Sequence, residues 1–227
     1  MKFNLGARLT AEFVGTAFLV AAVVGSGVMG EKLAGGNVAI ALLANTIATG
    51  AALVALLATF GSISGAHFNP VVTLAEAIDG GLSWKDASAY IVGQIVAGIV
   101  GAAIAHLMFD LPAVSLSLHA RQGWSLALSE FVATFGLLSV ILGCSRLRSS
   151  MVPVAVGCYI TAAYWFTAST SFANPPVTMA RSLSNTFSGI RPVDVPLFLV
   201  AQVAGGLAAT FLFRRLKPST AVSEVVS

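Results

Sequence analysis

The stretch "SFANPPVTMARSL", residues 171–183, repeats the pattern of "AHFNPVVTLAEAI", residues 66–78: an Asn-Pro, a Val-Thr two residues on, and a short apolar tail. Each Asn-Pro opens a segment of some ten residues, too short to cross a bilayer. At 1.5 Å per residue such a helix is about 15 Å long, so two laid end to end cover about 30 Å, one hydrocarbon thickness. Asn is a strong N-cap, and Pro belongs at the first helical position, where a missing N–H costs nothing. Asn69 and Asn174 therefore read as caps, and Pro70 and Pro175 as the first residues of two half-helices.

The surroundings are those of a membrane protein. Charged residues make up 9% of the 227, apolar ones 57%, and the mean hydropathy is +0.90. A soluble domain carries about a quarter charged residues, so this chain cannot clothe a water-facing surface. Six apolar stretches approach the length of a spanning helix, near 9–29, 38–60, 86–108, 125–144, 151–169 and 194–213. They are too long and too continuous for strands. The first exceeds a signal-peptide core and carries Glu12, so it reads as a span. The fold class is an all-α membrane protein: six transmembrane helices plus two re-entrant half-helices.

The chain is written twice. "AEFVGTAFLV" (11–20) answers "SEFVATFGLL" (129–138), and "GQIVAGIVGA" (93–102) answers "AQVAGGLAAT" (201–210). Glu12 thus falls opposite Glu130, Asn69 opposite Asn174, and Gln94 opposite Gln202, at spacings of 118, 105 and 108 residues. Repeat one runs over about 8–110 and repeat two over about 124–215, within one domain, 1–217; the polar tail, 218–227, is expected to be disordered. Three spans per unit is odd, so the second copy enters from the opposite face. The result is an inverted repeat, whose half-helices meet N-terminus to N-terminus at the midplane.

Two such termini each present about half a positive charge. With each Asn oxygen occupied in capping, its NH2 is left to donate into the space between. That site welcomes small neutral hydrogen-bonding solutes and repels cations. In the third span of each unit, Gly93, Ala97 and Gly101, and Ala201, Gly205 and Ala209, recur at i, i+4, i+8. Small residues at this spacing predict close helix packing in lipid.

Lys and Arg orient the chain. With the N-terminus inside, Lys2, Arg8, Lys85, Arg146, Arg148, Arg214, Arg215 and Lys217 are cytoplasmic; Lys32, Arg121, Arg181 and Arg191 are outside. Eight against four satisfies the positive-inside rule, with both termini cytoplasmic. The net charge of +3 describes topology, and scattered basic residues give no nucleic-acid partner. Cys144 and Cys158 flank a loop on the reducing side and have no metal-ligand spacing. No metal site, cofactor or enzymatic nucleophile–base pair is read. "GSGVMG" (25–30) fits a dinucleotide fingerprint in letters only, since no strand precedes it.

The paired Asn-Pro loops, with "SGAHFNPVVTLA", "AEFVGT" and "SEFVAT", resemble the aquaporin and aquaglyceroporin family over nearly the whole chain. The resemblance implies a pore in each subunit, a homotetramer, and Glu12 and Glu130 as buried carboxylates bracing the loops. It also exposes departures. The family triplet is Asn-Pro-Ala; here the third residues are Val71 and Pro176. Pro176 removes one N–H available to the cap, so the Asn174 oxygen is expected on the Val177 N–H. The family usually carries Arg three residues after the second Asn, in the selectivity filter; this chain has Val177. The other filter positions map to Thr49, Ser171 and either Tyr164 or Ala162, depending on a gap.

Val177, Thr49 and Ser171 together imply a wider, less polar filter. The expected solutes are glycerol-like polyols, water, arsenous acid and related metalloid hydroxides, and methylated arsenicals; the Val-for-Arg change resembles a variant linked to arsenic handling. It also lowers the barrier to cations. Arg181, assigned to the outer vestibule, reads first as a cation at a half-helix C-terminus and second as a collector of anionic solutes. His67 reads as a structural hydrogen-bonder to the loop backbone, with a pH gate as the lesser reading; His106 reads as interfacial. Rival readings are a water-selective aquaporin, a coupled carrier using Glu12 or Glu130, and a junction protein without flux. The expected location is a bacterial inner membrane.

Overall fold

The computed structural model describes residues 3–216; the proposed disordered tail, Lys2 and Lys217 lie outside them. Within these residues all regular structure is helical. The spans are α1 (Leu5–Leu33), α2 (Val38–Ser64), α4 (Trp84–Met108), α5 (Trp124–Leu147), α6 (Val152–Phe166, entered through a 3₁₀ turn at Ser149–Met151) and α8 (Val195–Arg215, entered through Pro192–Asp194). Between them lie the half-helices α3 (Pro70–Ile78) and α7 (Pro175–Ser182). Among the described residues, six helices are long and apolar enough to cross a membrane. The expected spans are met within a few residues, and "GSGVMG" lies inside α1.

The spans begin where side chains can take up free amides. Asn4 Oδ1 accepts from Ala7 N at 2.8 Å, Asn37 Oδ1 from Ala39 N and Ile40 N, and Ser83 Oγ from Asp86 N. Gly65 ends α2 in the left-handed region at φ 90°, where a side chain would be strained.

The small residues at the helix crossings follow the inverted repeat. A methyl on Gly101 would collide with the Ala17 carbonyl of α1, and one on Gly205 with the Phe131 carbonyl of α5. Ala97 and Ala209 are fully buried. Gly93, however, has nothing within 4 Å of where a Cβ would stand. It is a member of the sequence stripe without being a contact, although its neighbours Tyr90, Gln94 and Ala97 are fully buried. Where α2 crosses α6, a methyl on Gly157 would come within 2.7 Å of the Gly50 carbonyl.

The connection between the repeats lies over the end of α7: Ser115 N donates to Leu183 O and Ser117 N to Ser182 O, both at 2.9 Å. His106 is buried beneath it, its Nδ1 3.0 Å from Ala113 O and its Nε2 2.8 Å from Ser184 Oγ. In the last turn of α4, the imidazole is a pin between that helix and the loop after α7. At the face carrying the termini, Arg8 pairs with Asp86 at 3.2 Å, and Asp79 lies 3.6 Å from Arg214 and 3.9 Å from Arg146.

Candidate pore and its constriction

Each half-helix is reached through a loop whose backbone alternates into the left-handed region. Ala66 and Phe68 have φ 48°, and Ser171 and Ala173 have φ 48° and 50°. These stand three and one residues before Asn69 and Asn174, so both copies share one unfavourable conformation, costing roughly 1–2 kcal/mol per residue. The buried glutamates hold it. Glu12 Oε1 accepts from Ser64 Oγ (2.7 Å) and His67 N (2.9 Å), and Oε2 from Phe68 N and Gln94 Nε2, both 2.8 Å. Glu130 accepts from Phe172 N and Ala173 N at 2.9 Å and from Gln202 Nε2 at 2.6 Å. The side-chain amides of Gln94 and Gln202 also donate to Thr73 Oγ1 and Thr178 Oγ1 on the half-helices. The repeated Gln and the repeated Val-Thr were the sequence signals for this second brace.

Asn69 Nδ2 donates to the Ala173 carbonyl, and Asn174 Nδ2 returns the bond to the Phe68 carbonyl, each at 2.8 Å. The loops are thus tied to each other at the point where α3 and α7 meet. One N–H of each carboxamide is used here, leaving one, where the sequence reading had left both. The caps differ. Val71 N donates to Asn69 Oδ1 at 2.9 Å, but Asn174 Oδ1 is buried without a partner among the described residues. The expected bond from Val177 N does not form. Pro175 and Pro176 leave the two nearest backbone positions without an N–H, and the amide of Val177 does not reach.

Two further contacts account for the changed third residue of each triplet. A methyl on Gly206 of α8 would overlap Val71 Cγ1, and one on Gly98 of α4 would stand 3.3 Å from Pro176 Cβ. Each bulky third residue is received by a glycine of the opposite repeat's last span.

A cavity of ≈ 90 Å³ runs past both loops; a water needs roughly 10–15 Å³ on this measure, so it holds several. One wall is apolar and draws on the duplication: Leu19 and Leu137, Val23 and Ile141 occupy equivalent places in α1 and α5. The other wall carries Asn69, Asn174 and the loop segments before them. Beyond the loops, Thr49, Tyr164, Ser171 and Val177 line the same cavity, and the Tyr164 hydroxyl donates to Thr49 Oγ1 at 3.3 Å. Tyr164 is buried and Ala162 exposed, so the residue facing the cavity at this level of α6 is the tyrosine.

His67 lines the cavity too, its Nδ1 3.1 Å from Thr73 Oγ1 and its ring 5.4 Å from that of Tyr90. Its partner is a half-helix side chain in place of the expected loop backbone. Arg181 is the larger correction. It is only 2% exposed, with Cζ 3.3 Å from the centre of the Phe172 ring and Nε donating to Ser188 O. The outer vestibule is therefore not where its head lies: a helical side chain leans toward its helix N-terminus. Arg121, from the connection between repeats, lies over the same ring at 5.0 Å and donates from Nε to Gly189 O and from Nη1 to Ser169 O. Burial pushes this guanidinium below the ordinary arginine value, while Glu130 and Tyr164 pull it back.

The family model described as Major intrinsic protein matches residues 2–171. The chain is 54% identical over 215 residues to the aquaglyceroporin AqpS of Rhizobium meliloti (strain 1021), covering 95% of this chain and 92% of that protein. It is 30% identical over 237 residues to aquaporin Z of Rhodopseudomonas palustris, covering 96% and 97%, and 30% identical over 223 residues to aquaporin NIP1-4 of Oryza sativa subsp. japonica, covering 96% and 79%. Among solved structures, the aquaglyceroporin from Plasmodium falciparum superposes with a TM-score of 0.74 at 18% identity, covering 94% of this chain and 97% of that one; this likeness is one of fold.

Proposed function

Because this chain belongs to the major intrinsic protein family of membrane channels, we propose that it is a passive pore whose filter admits neutral solutes larger than water. The solutes are glycerol-like polyols, arsenous acid and related metalloid hydroxides, and methylated arsenicals, with water alongside. The observation that carries this reading is the position of Val177. It lines one cavity with Thr49, Tyr164 and Ser171, so the constriction has a short apolar wall where an arginine would fill the lumen with a charged fork. The similarity to a protein named aquaglyceroporin points the same way.

A coupled carrier would need an acid on the pathway. Glu12 and Glu130 are fully buried and given over to loop donors, and among the described residues neither lines the cavity. Passive flux follows: linear in solute and indifferent to a pH gradient. The proposal extends to a homotetramer in a bacterial inner membrane with both termini cytoplasmic.

Vesicles reconstituted with the protein and with Val177→Arg, followed by stopped-flow light scattering in water, glycerol and arsenous acid, test the reading. The wild type should pass all three. The variant should lose glycerol and arsenous acid flux by about tenfold or more and keep water. Unchanged selectivity in the variant would show that residue 177 is not at the constriction.

A further inference from the structure

The cavity wall beyond the loops holds one charged side chain, Arg181, which the four filter positions do not include. Its backbone stands one turn farther along α7 than Val177. An α-helical turn rises 5.4 Å, and side chains lean back over the turn N-terminal to their own Cα. An extended arginine therefore returns its guanidinium toward the level of residue 177. The contacts agree: the ring beneath it, Phe172, belongs to the re-entrant loop before α7.

The head is held by its inner edge only. Nε is bonded to Ser188 O, whereas neither Nη has a hydrogen-bond partner among the described residues, and neither is among the polar atoms sealed away from accessible space. The residue is one of those that line the cavity. Arg121 shares the Phe172 ring but has spent Nε and Nη1 on carbonyls. No carboxylate lies within 4.0 Å of Arg181 among the described residues. A buried cation without a counter-ion is costly. Stacking on Phe172 and the Ser188 carbonyl offset part of that cost, and what remains is a positive charge aimed at the lumen.

The geometry points to Arg181 as a specificity-determining residue of the pore, repelling cations and donating its Nη–H groups to the oxygens of passing neutral polyhydroxy solutes. This rests on the channel reading above and deepens it. The charge rooted at 177 in relatives is supplied here from one turn away and lies flat against Phe172, which leaves the lumen wider at an equal charge. Loss of a filter arginine and retention of cation exclusion are then compatible.

The test compares wild type, Arg181→Met, Arg181→Gln, Arg181→Lys and the pair Arg181→Met with Val177→Arg in vesicles, reading Na⁺ and K⁺ leak beside glycerol flux. Arg181→Met is expected to raise cation leak about tenfold or more and to lower glycerol flux severalfold, because the Nη donors go with the charge. Arg181→Lys should stay tight. Adding Val177→Arg to Arg181→Met should restore tightness and lose glycerol flux about tenfold. Should Arg181→Met fail to fold, Arg181→Gln, which retains a planar head without charge, carries the comparison. Wild-type cation leak in whichever neutral variant folds would overturn the proposal. Absence of glycerol flux in the wild type is a different result, and strikes at the filter reading itself.

Discussion

Gly206 on α8 and Val71 at the start of α3 are a fitted pair: the valine Cγ1 occupies the place where a Cβ on residue 206 would lie. Overpacking of a filled interior costs about 1–3 kcal/mol. Gly206→Ala should therefore lower the thermal unfolding temperature of detergent-purified protein. Val71→Ala removes the offending methyl, leaving Val71 Cβ 3.5 Å away, an ordinary contact. The double variant should recover most of the loss, and additive effects in that cycle would refute the pairing.

The two asparagines differ by one cap. Asn69→Ala removes both the cross-loop bond and the Val71 N–H partner, whereas Asn174→Ala removes only the cross-loop bond. A cap is typically worth about 1 kcal/mol, so Asn69→Ala should be the more destabilising by about that amount in denaturant or heat. Pro176→Ala returns an N–H to the second turn position; in that background the two alanine variants should converge. Equal losses without Pro176→Ala would contradict the asymmetry.

Replacing Glu12 or Glu130 by Gln puts an NH2 where only donors converge. Whichever way the amide turns, at least one buried loop N–H is left without an acceptor, at about 1–3 kcal/mol. Both variants should unfold at lower temperature and pass less solute per folded molecule. Flux in each should remain linear in solute and unaffected by a pH gradient; acquired gradient dependence, or its loss from the wild type, would revive the carrier.

Glycines of one stripe should differ in tolerance. Gly101→Ala drives a methyl into the Ala17 carbonyl, a backbone atom that cannot turn aside, while Gly93→Ala enters open space. Thermal stability should fall in the first by about 1–3 kcal/mol and stay near the wild-type value in the second. Similar values for both would mean that α1 and α4 cross elsewhere.

The spans and half-helices were legible because their signals are local: apolar length, an N-cap, a proline at the first turn. The brace was half legible. Glu12 and Glu130 followed from resemblance, and Gln94 and Gln202 were visible as repeats, but only the folded structure brings each glutamine to its glutamate. What stayed hidden depended on direction. Tyr164 and Ala162 differ by helical phase, which a gap obscures. Arg181 depends on which way a long side chain leans, and His106 on a loop folding back over it. The Asn174 cap was misread because counting available N–H groups does not say whether the next one reaches.

The left-handed residues of the two loops make the conduit depend on contacts far apart in the chain. Loop 65–69 is bonded to Glu12 of α1, which is itself bonded to Gln94 of α4, and those two lie at opposite ends of one repeat. The same holds for loop 170–174 between Glu130 and Gln202. The carboxamides of Asn69 and Asn174 exchange bonds between two loops that are each braced within their own half, so a defect at either end of a repeat is transmitted to the middle of the conduit.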